Sequence, residues 1–81
     1  MGPTEQSQRE QQGDELRVVN VKENDALYLR QYPTEDSKIV GMIPPDATGI
    51  IPLGESQGQW ILIRFDGTEG WANTRFLSKE N

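Results

Sequence analysis

The chain contains neither cysteine nor histidine. Without cysteine there is no disulfide, thiolate nucleophile or cysteine-bound zinc to support the fold. A stapled miniprotein is therefore excluded, while cytosol, periplasm and exterior all stay open. Without histidine the commonest general base and metal ligand is missing. No apolar run approaches the ~20 residues of a membrane span, so membrane insertion by this chain is not expected. No leading segment has the pattern of a secretory signal, which points to a cytoplasmic protein or to a mature part separated from its leader. Met1-Gly2 does not start a myristoylation signal, because Gln6 stands where Ser or Thr is needed. Lys and Arg form no cluster, and 8 of them face 13 acids for a net charge of −5. Such a chain repels phosphate backbones, so nucleic acid is not an expected partner.

Catalytic chemistry finds little footing. No Gly-rich loop opens a helix to cradle phosphate. Ser37, Ser56 and Ser78 lie in polar stretches with no base placed by motif. Asp25, Asp36, Asp46 and Asp66 fall in turns, where Asp serves local hydrogen bonding. Glu23 and Asp25 lack the loop pattern of a calcium site. The expectation is a protein that is not an enzyme and has no metal and no cofactor.

What the chain does contain is a hairpin. Trp60-Ile61-Leu62-Ile63-Arg64-Phe65 and Thr68-Glu69-Gly70-Trp71-Ala72 flank Asp66-Gly67, the pair a type I′ turn favours because both central residues need φ > 0. Alternation puts Ile61, Ile63 and Phe65 on one face and Trp60, Leu62 and Arg64 on the other. Shorter strands are predicted over residues 16–21, 27–30, 39–43 and 50–53. Turns separate them at residues 22–25 and 44–46, and longer loops lie at residues 31–37 and 54–59. Pro52 has no N–H for a ladder bond, which places it on an edge strand or at a bulge. No helix-period segment of useful length is present. Phe76-Leu77 closes the chain.

The fold class that follows is all-β, a small barrel or sheet pair of five to seven short strands. Val19, Leu27, Leu29, Ile51, Leu53, Ile61, Ile63, Ala72 and Leu77 are its expected core. With 33% hydrophobic residues over 81, that core is small and the domain marginally stable. Residues 1–15 carry a net charge of −3, four glutamines and almost no apolar side chain. They cannot offset their ordering entropy, so a disordered tail or tether is expected ahead of a domain over residues 16–81.

Taken in order, Leu27-Tyr28-Leu29-Arg30, Val40-Gly41, Ile51 and Leu53, Trp60-x-x-Ile63, Asp66-Gly67-Thr68-x-Gly70-Trp71-Ala72 and Phe76-Leu77 resemble the bacterial Src-homology-3-type (SH3-like) domain family. The resemblance runs from about residue 18 to 77. This chain departs from the family pattern in having Tyr28 where Asn is frequent and Gln31-Tyr32-Pro33 in place of a small turn. Gln59 also replaces the Gly before Trp60, and Phe76 replaces the common Tyr. The resemblance implies an SH3-like β-barrel acting as a non-catalytic binding module of the bacterial cell envelope, periplasmic or extracellular. Its implied ligand is cell-wall peptide or peptidoglycan held in a shallow aromatic groove.

The alternative is an interaction domain that docks onto a partner protein or onto another domain of a longer parent. A cytoplasmic oligomerising domain is a third reading, resting on the missing signal; the expected state otherwise is a monomer. Candidate ligand-binding residues are Tyr28, Tyr32, Trp60, Asn73 and Phe76, with Glu55 or Asp36 as acidic rim. Acidity favours a ligand with free amines. Each aromatic has a second reading as packing: Trp60 as a cap on one barrel end, Tyr28 and Tyr32 as loop packing, Phe76 as filler. Trp71 is expected to shield the outer face of the hairpin.

Overall fold

Asp66 and Gly67 both adopt positive φ, 53° and 81°, in the computed structural model, which describes residues 15–80. The turn joins β5 (Trp60–Phe65) to β6 (Thr68–Asn73), and Phe65 pairs with Thr68 across it. This is the tight turn the Asp-Gly pair favours. Five further strands complete the set: β1 (Leu16–Val18), β2 (Leu27–Arg30), β3 (Ile39–Ile43), β4 (Ile51–Gln57) and β7 (Leu77–Lys79). A 3-10 turn at Thr74–Phe76 leads from β6 into β7. One sheet has the order β3-β2-β6-β5-β4, and the other pairs β1 with β7. Leu16 bridges to Ile50 through two backbone hydrogen bonds of 2.8 and 3.0 Å, which tie the small sheet to the start of β4. Seven strands in two joined sheets, with no α-helix among the described residues, make the expected SH3-like all-β fold.

The core is Val18, Leu27, Leu29, Ile43, Ile50, Ile63 and Ala72, with Ile61, Phe65, Phe76 and Leu77 partly buried against it. Leu27, Leu29, Ile63 and Ala72 are buried as alternation requires. Three expected core positions are displaced. The first strand ends at Val18 rather than residue 21, because Asn20 takes φ 62° and turns the chain. Val18 is thus the buried residue, and Val19 is only half-buried. On β4, Ile51 lies opposite Arg64 and therefore faces outward with it, while Pro52 lies opposite Ile63. Ile50 takes the core position, leaving Ile51 and Leu53 half-buried.

The polar stretch 54–59 is also not a loop. Most of it continues β4 to Gln57, and the reversal is the two-residue turn Gly58-Gln59, with Gly58 at φ 57°. Gln57 then pairs with Trp60. The register slips between Pro52 and Ser56, so Pro52 sits on an edge strand beside a bulge. Residues 1–14 of the expected tail lie outside the described residues. Glu15, counted with that tail, is joined to the folded unit by a 3.0 Å hydrogen bond from the Glu80 N–H to its carbonyl.

Candidate ligand-binding groove

The sheet register assembles one row of side chains on the face opposite the core. Trp60 pairs with Asn73, Leu62 with Trp71, and Arg30 with Trp71. Continuing that last pairing by two residues sets Tyr28 beside Asn73, and Tyr28 itself pairs with Met42. Strand alternation therefore puts Tyr28, Asn73 and Trp60 on the same surface, away from Leu27, Leu29 and Ala72. Trp71 is buried on this face yet stands apart from the core cluster. It shields the outer side of the hairpin, as expected.

Two further segments raise walls around the row. The 3-10 turn is capped by Asn73, whose Oδ1 accepts the Arg75 N–H at 2.9 Å, and this cap brings Phe76 round to the groove. The segment at residues 20–25 is fastened against that turn by Asn20, whose Nδ2 donates to the Arg75 carbonyl at 3.1 Å. The second wall is the loop between β2 and β3. Ser37 organises it: its Oγ accepts the Tyr32 N–H at 3.1 Å and lies at the same distance from the Tyr32 and Thr34 carbonyls. Arg30 Nη1 donates to the Ser37 carbonyl at 3.1 Å, and the Gln31 N–H to the Lys38 carbonyl at 2.9 Å. Between these walls lies an open groove of ≈ 560 Å³, lined by Tyr28, Trp60, Asn73 and Phe76. Residues 20–22, 25–27, Arg30, Glu35 and Asp36 complete it.

Four of the five candidate binding residues thus share one groove. Tyr32 does not line it; the residue is 58% exposed on the loop. Glu55 lies on β4, outside the groove, whereas Asp36 lines it. Sequence reasoning missed the contribution of Asn20, Val21, Lys22, Asp25, Arg30 and Glu35. The residues at 20–25 read only as a turn, and nothing local signals a contact across 55 positions to Arg75.

The groove carries three carboxylates (Asp25, Glu35, Asp36) and two cations (Lys22, Arg30). Asp25 is partly engaged: its Oδ1 accepts the Ala26 N–H at 2.8 Å and lies 3.4 Å from the Tyr28 hydroxyl. The arrangement offers flat apolar rings, an amide and charged groups at the rim, and so has the means to bind. Among the described residues, no three His, Cys, Asp or Glu side chains are grouped to hold a metal. No helix among them is long and apolar enough to cross a membrane.

A family model described as the bacterial SH3 domain matches residues 25–78, two thirds of the 81-residue chain. The match spans β2 to β7 and includes Tyr28, Trp60, Asn73 and Phe76. No curated protein and no solved structure matches.

Proposed function

The chain belongs to the bacterial SH3 domain family, and on that premise we propose that it is a non-catalytic, monomeric binding module of the cell envelope. Its ligand is a cell-wall peptide or peptidoglycan fragment, and it acts periplasmically or extracellularly. The observation that carries this reading is the convergence of Tyr28, Trp60 and Phe76, from two strands and a 3-10 turn, on one groove with Asn73. Tyr and Trp give large contact area at low rotamer entropy, which suits a shallow site. The Asn73 Oδ1 is committed to its cap, so its amide NH2 is the group that donates to a ligand carbonyl. A site this open binds weakly, in the range of about μM to mM, because contact area must first offset the entropy of association.

A nuclear-magnetic-resonance titration with a soluble muropeptide tests the reading, run on the wild type and on Trp60→Ala. Shifts at Tyr28, Trp60, Asn73 and Phe76 that vanish in the variant support it; no shifts there refute it. A second reading, docking onto another protein or a neighbouring domain, is favoured by the β3 edge. That strand has no charged residue, lies at the end of its sheet, and leaves Ile39, Val40 and Met42 exposed. Such an edge is an open template for pairing. Exchange broadening confined to residues 39–43 on addition of a partner selects this reading.

A further inference from the structure

We infer that the groove selects a ligand bearing a primary ammonium group, seated against the aromatic rings and facing Glu35 and Asp36. The inference rests on the cell-wall reading above and names the part of such a peptide that is recognised: a free side-chain amine. Charge complementarity carries it. Of the two cations lining the groove, Arg30 is partly buried and directed at the Ser37 carbonyl. Lys22 is the other cation, and it makes no ion pair among the described residues, while the lining holds three carboxylates, Asp25, Glu35 and Asp36. Acids therefore outnumber cations in the lining by three to two, and Glu35 and Asp36 are both exposed. The ion pair formed among the described residues, Arg64 with Glu69, does not involve the groove lining.

An anionic ligand therefore meets an excess of carboxylates on a chain of net charge −5. An ammonium meets those carboxylates together with the electron-rich faces of Tyr28, Trp60 and Phe76, and ring quadrupole and Coulomb attraction act in the same direction. A neutral amide of the same shape gains neither.

Calorimetric titration of the full chain with a free-amine muropeptide, and with the same muropeptide after N-acetylation, tests this. Acetylation is expected to weaken binding about fivefold, the size of a cation–π contact at a partly exposed site. Raising salt from ~10 mM to ~150 mM should weaken the amine form relative to the acetylated form, because screening removes the attraction that only the ammonium makes. In the double variant Glu35→Gln/Asp36→Asn the gap between the two forms should narrow and lose its salt dependence, the ring contribution remaining, while thermal melting stays that of the wild type. Equal binding of both forms to the wild type overturns the ammonium inference and leaves the groove reading standing. Binding of neither form overturns both. If a lysine-containing peptide of a sequence unrelated to the cell-wall peptide binds as tightly as the muropeptide, the occupant is a protein segment and the assignment to the cell wall falls.

Discussion

Gly70→Ala tests the closest approach in the fold. Gly70 lies on β6, one residue before the single Arg30–Trp71 pairing that holds β6 against β2. Its φ is not in the left-handed region, so alanine suits the backbone and any effect is one of space. A Cβ there would sit 2.8 Å from Leu29 Cβ, 3.0 Å from Val40 Cγ2 and 3.2 Å from the Arg30 carbonyl oxygen. Two of these three atoms cannot rotate away. Leu29 Cβ is fixed to its backbone, in a side chain only 1% exposed, and the carbonyl is part of β2. The strands must separate, and overpacking of this kind costs ~1–3 kcal/mol. The lower unfolded-state entropy of alanine offsets ~0.4–1 kcal/mol of that. A net loss of about 1–2 kcal/mol lowers the melting temperature by about 4–16 °C in a domain of this size.

Gly41→Ala is the internal control. Its added Cβ meets Thr68 Cγ2 at 3.0 Å and Leu29 Cδ1 at 3.4 Å, both ends of side chains that can shift. Its loss should stay under ~1 kcal/mol. Adding Val40→Ala to Gly70→Ala removes the 3.0 Å clash but not the one at 2.8 Å, so recovery should be partial. Thermal denaturation followed by circular dichroism measures all three. If Gly70→Ala melts with the wild type, or below Gly41→Ala in severity, β2 and β6 yield more easily than this packing allows and the reasoning fails.

Ile63→Ala removes a fully buried side chain and should cost ~2–5 kcal/mol, enough to unfold much of the population; an unchanged melting curve would mean that the faces of β5 are assigned wrongly. Trp60→Ala should cost at most ~1 kcal/mol in stability, because Trp60 lies outside the core cluster. It should lower muropeptide affinity by ~2 kcal/mol, the scale of an aromatic anchor, and an unfolded variant would restore the reading of Trp60 as a barrel cap. Gly67→Ala places a side chain at φ 81° and should cost ~1 kcal/mol, measured by denaturant unfolding; no loss would show that the turn relaxes to another type.

Where hydrophobic alternation and turn chemistry agreed, the fold was legible. Asp66-Gly67 and the runs on either side define a hairpin and its register together, because a two-residue turn forces Phe65 against Thr68. Pro52 announced an edge and a bulge through its missing N–H. The opposite happened over residues 50–57. Ile51 and Leu53 alternate as a core pair would, but the face of β4 is set by its register against β5, and that register breaks at the bulge. The slip sets four residues of β4 against two of β5 and so keeps the parity. Alternation within residues 50–53 does not say which pair faces inward, and only the pairing of Pro52 with Ile63 decides for Ile50. The same argument covers Val18: a left-handed Asn20 ends the strand early and changes which valine faces inward.

The groove divides along the same line. Tyr28, Trp60 and Asn73 were legible because they sit on regular strands, where one register pair carries the whole row to the outer face. Phe76 followed from the family pattern, and the Asn73 cap supplies the physical reason for its position. The acidic part of the groove comes from loops, whose direction depends on contacts with no local sequence signal. Asn20 reaches Arg75 across 55 positions, and Arg30 and Ser37 fix the loop at residues 31–38 from its base. Asp36 and Glu55 looked equivalent as rim candidates; only a folded loop separates Asp36, which lines the groove beside Glu35, from Glu55, which does not. Ser37 should accordingly matter more to the groove than a surface serine does. Ser37→Ala removes the hydroxyl that gathers the Tyr32 and Thr34 backbone groups. It should leave global stability within ~1 kcal/mol while raising amide exchange across residues 32–36. Unchanged exchange there would mean that the loop is held from Arg30 alone.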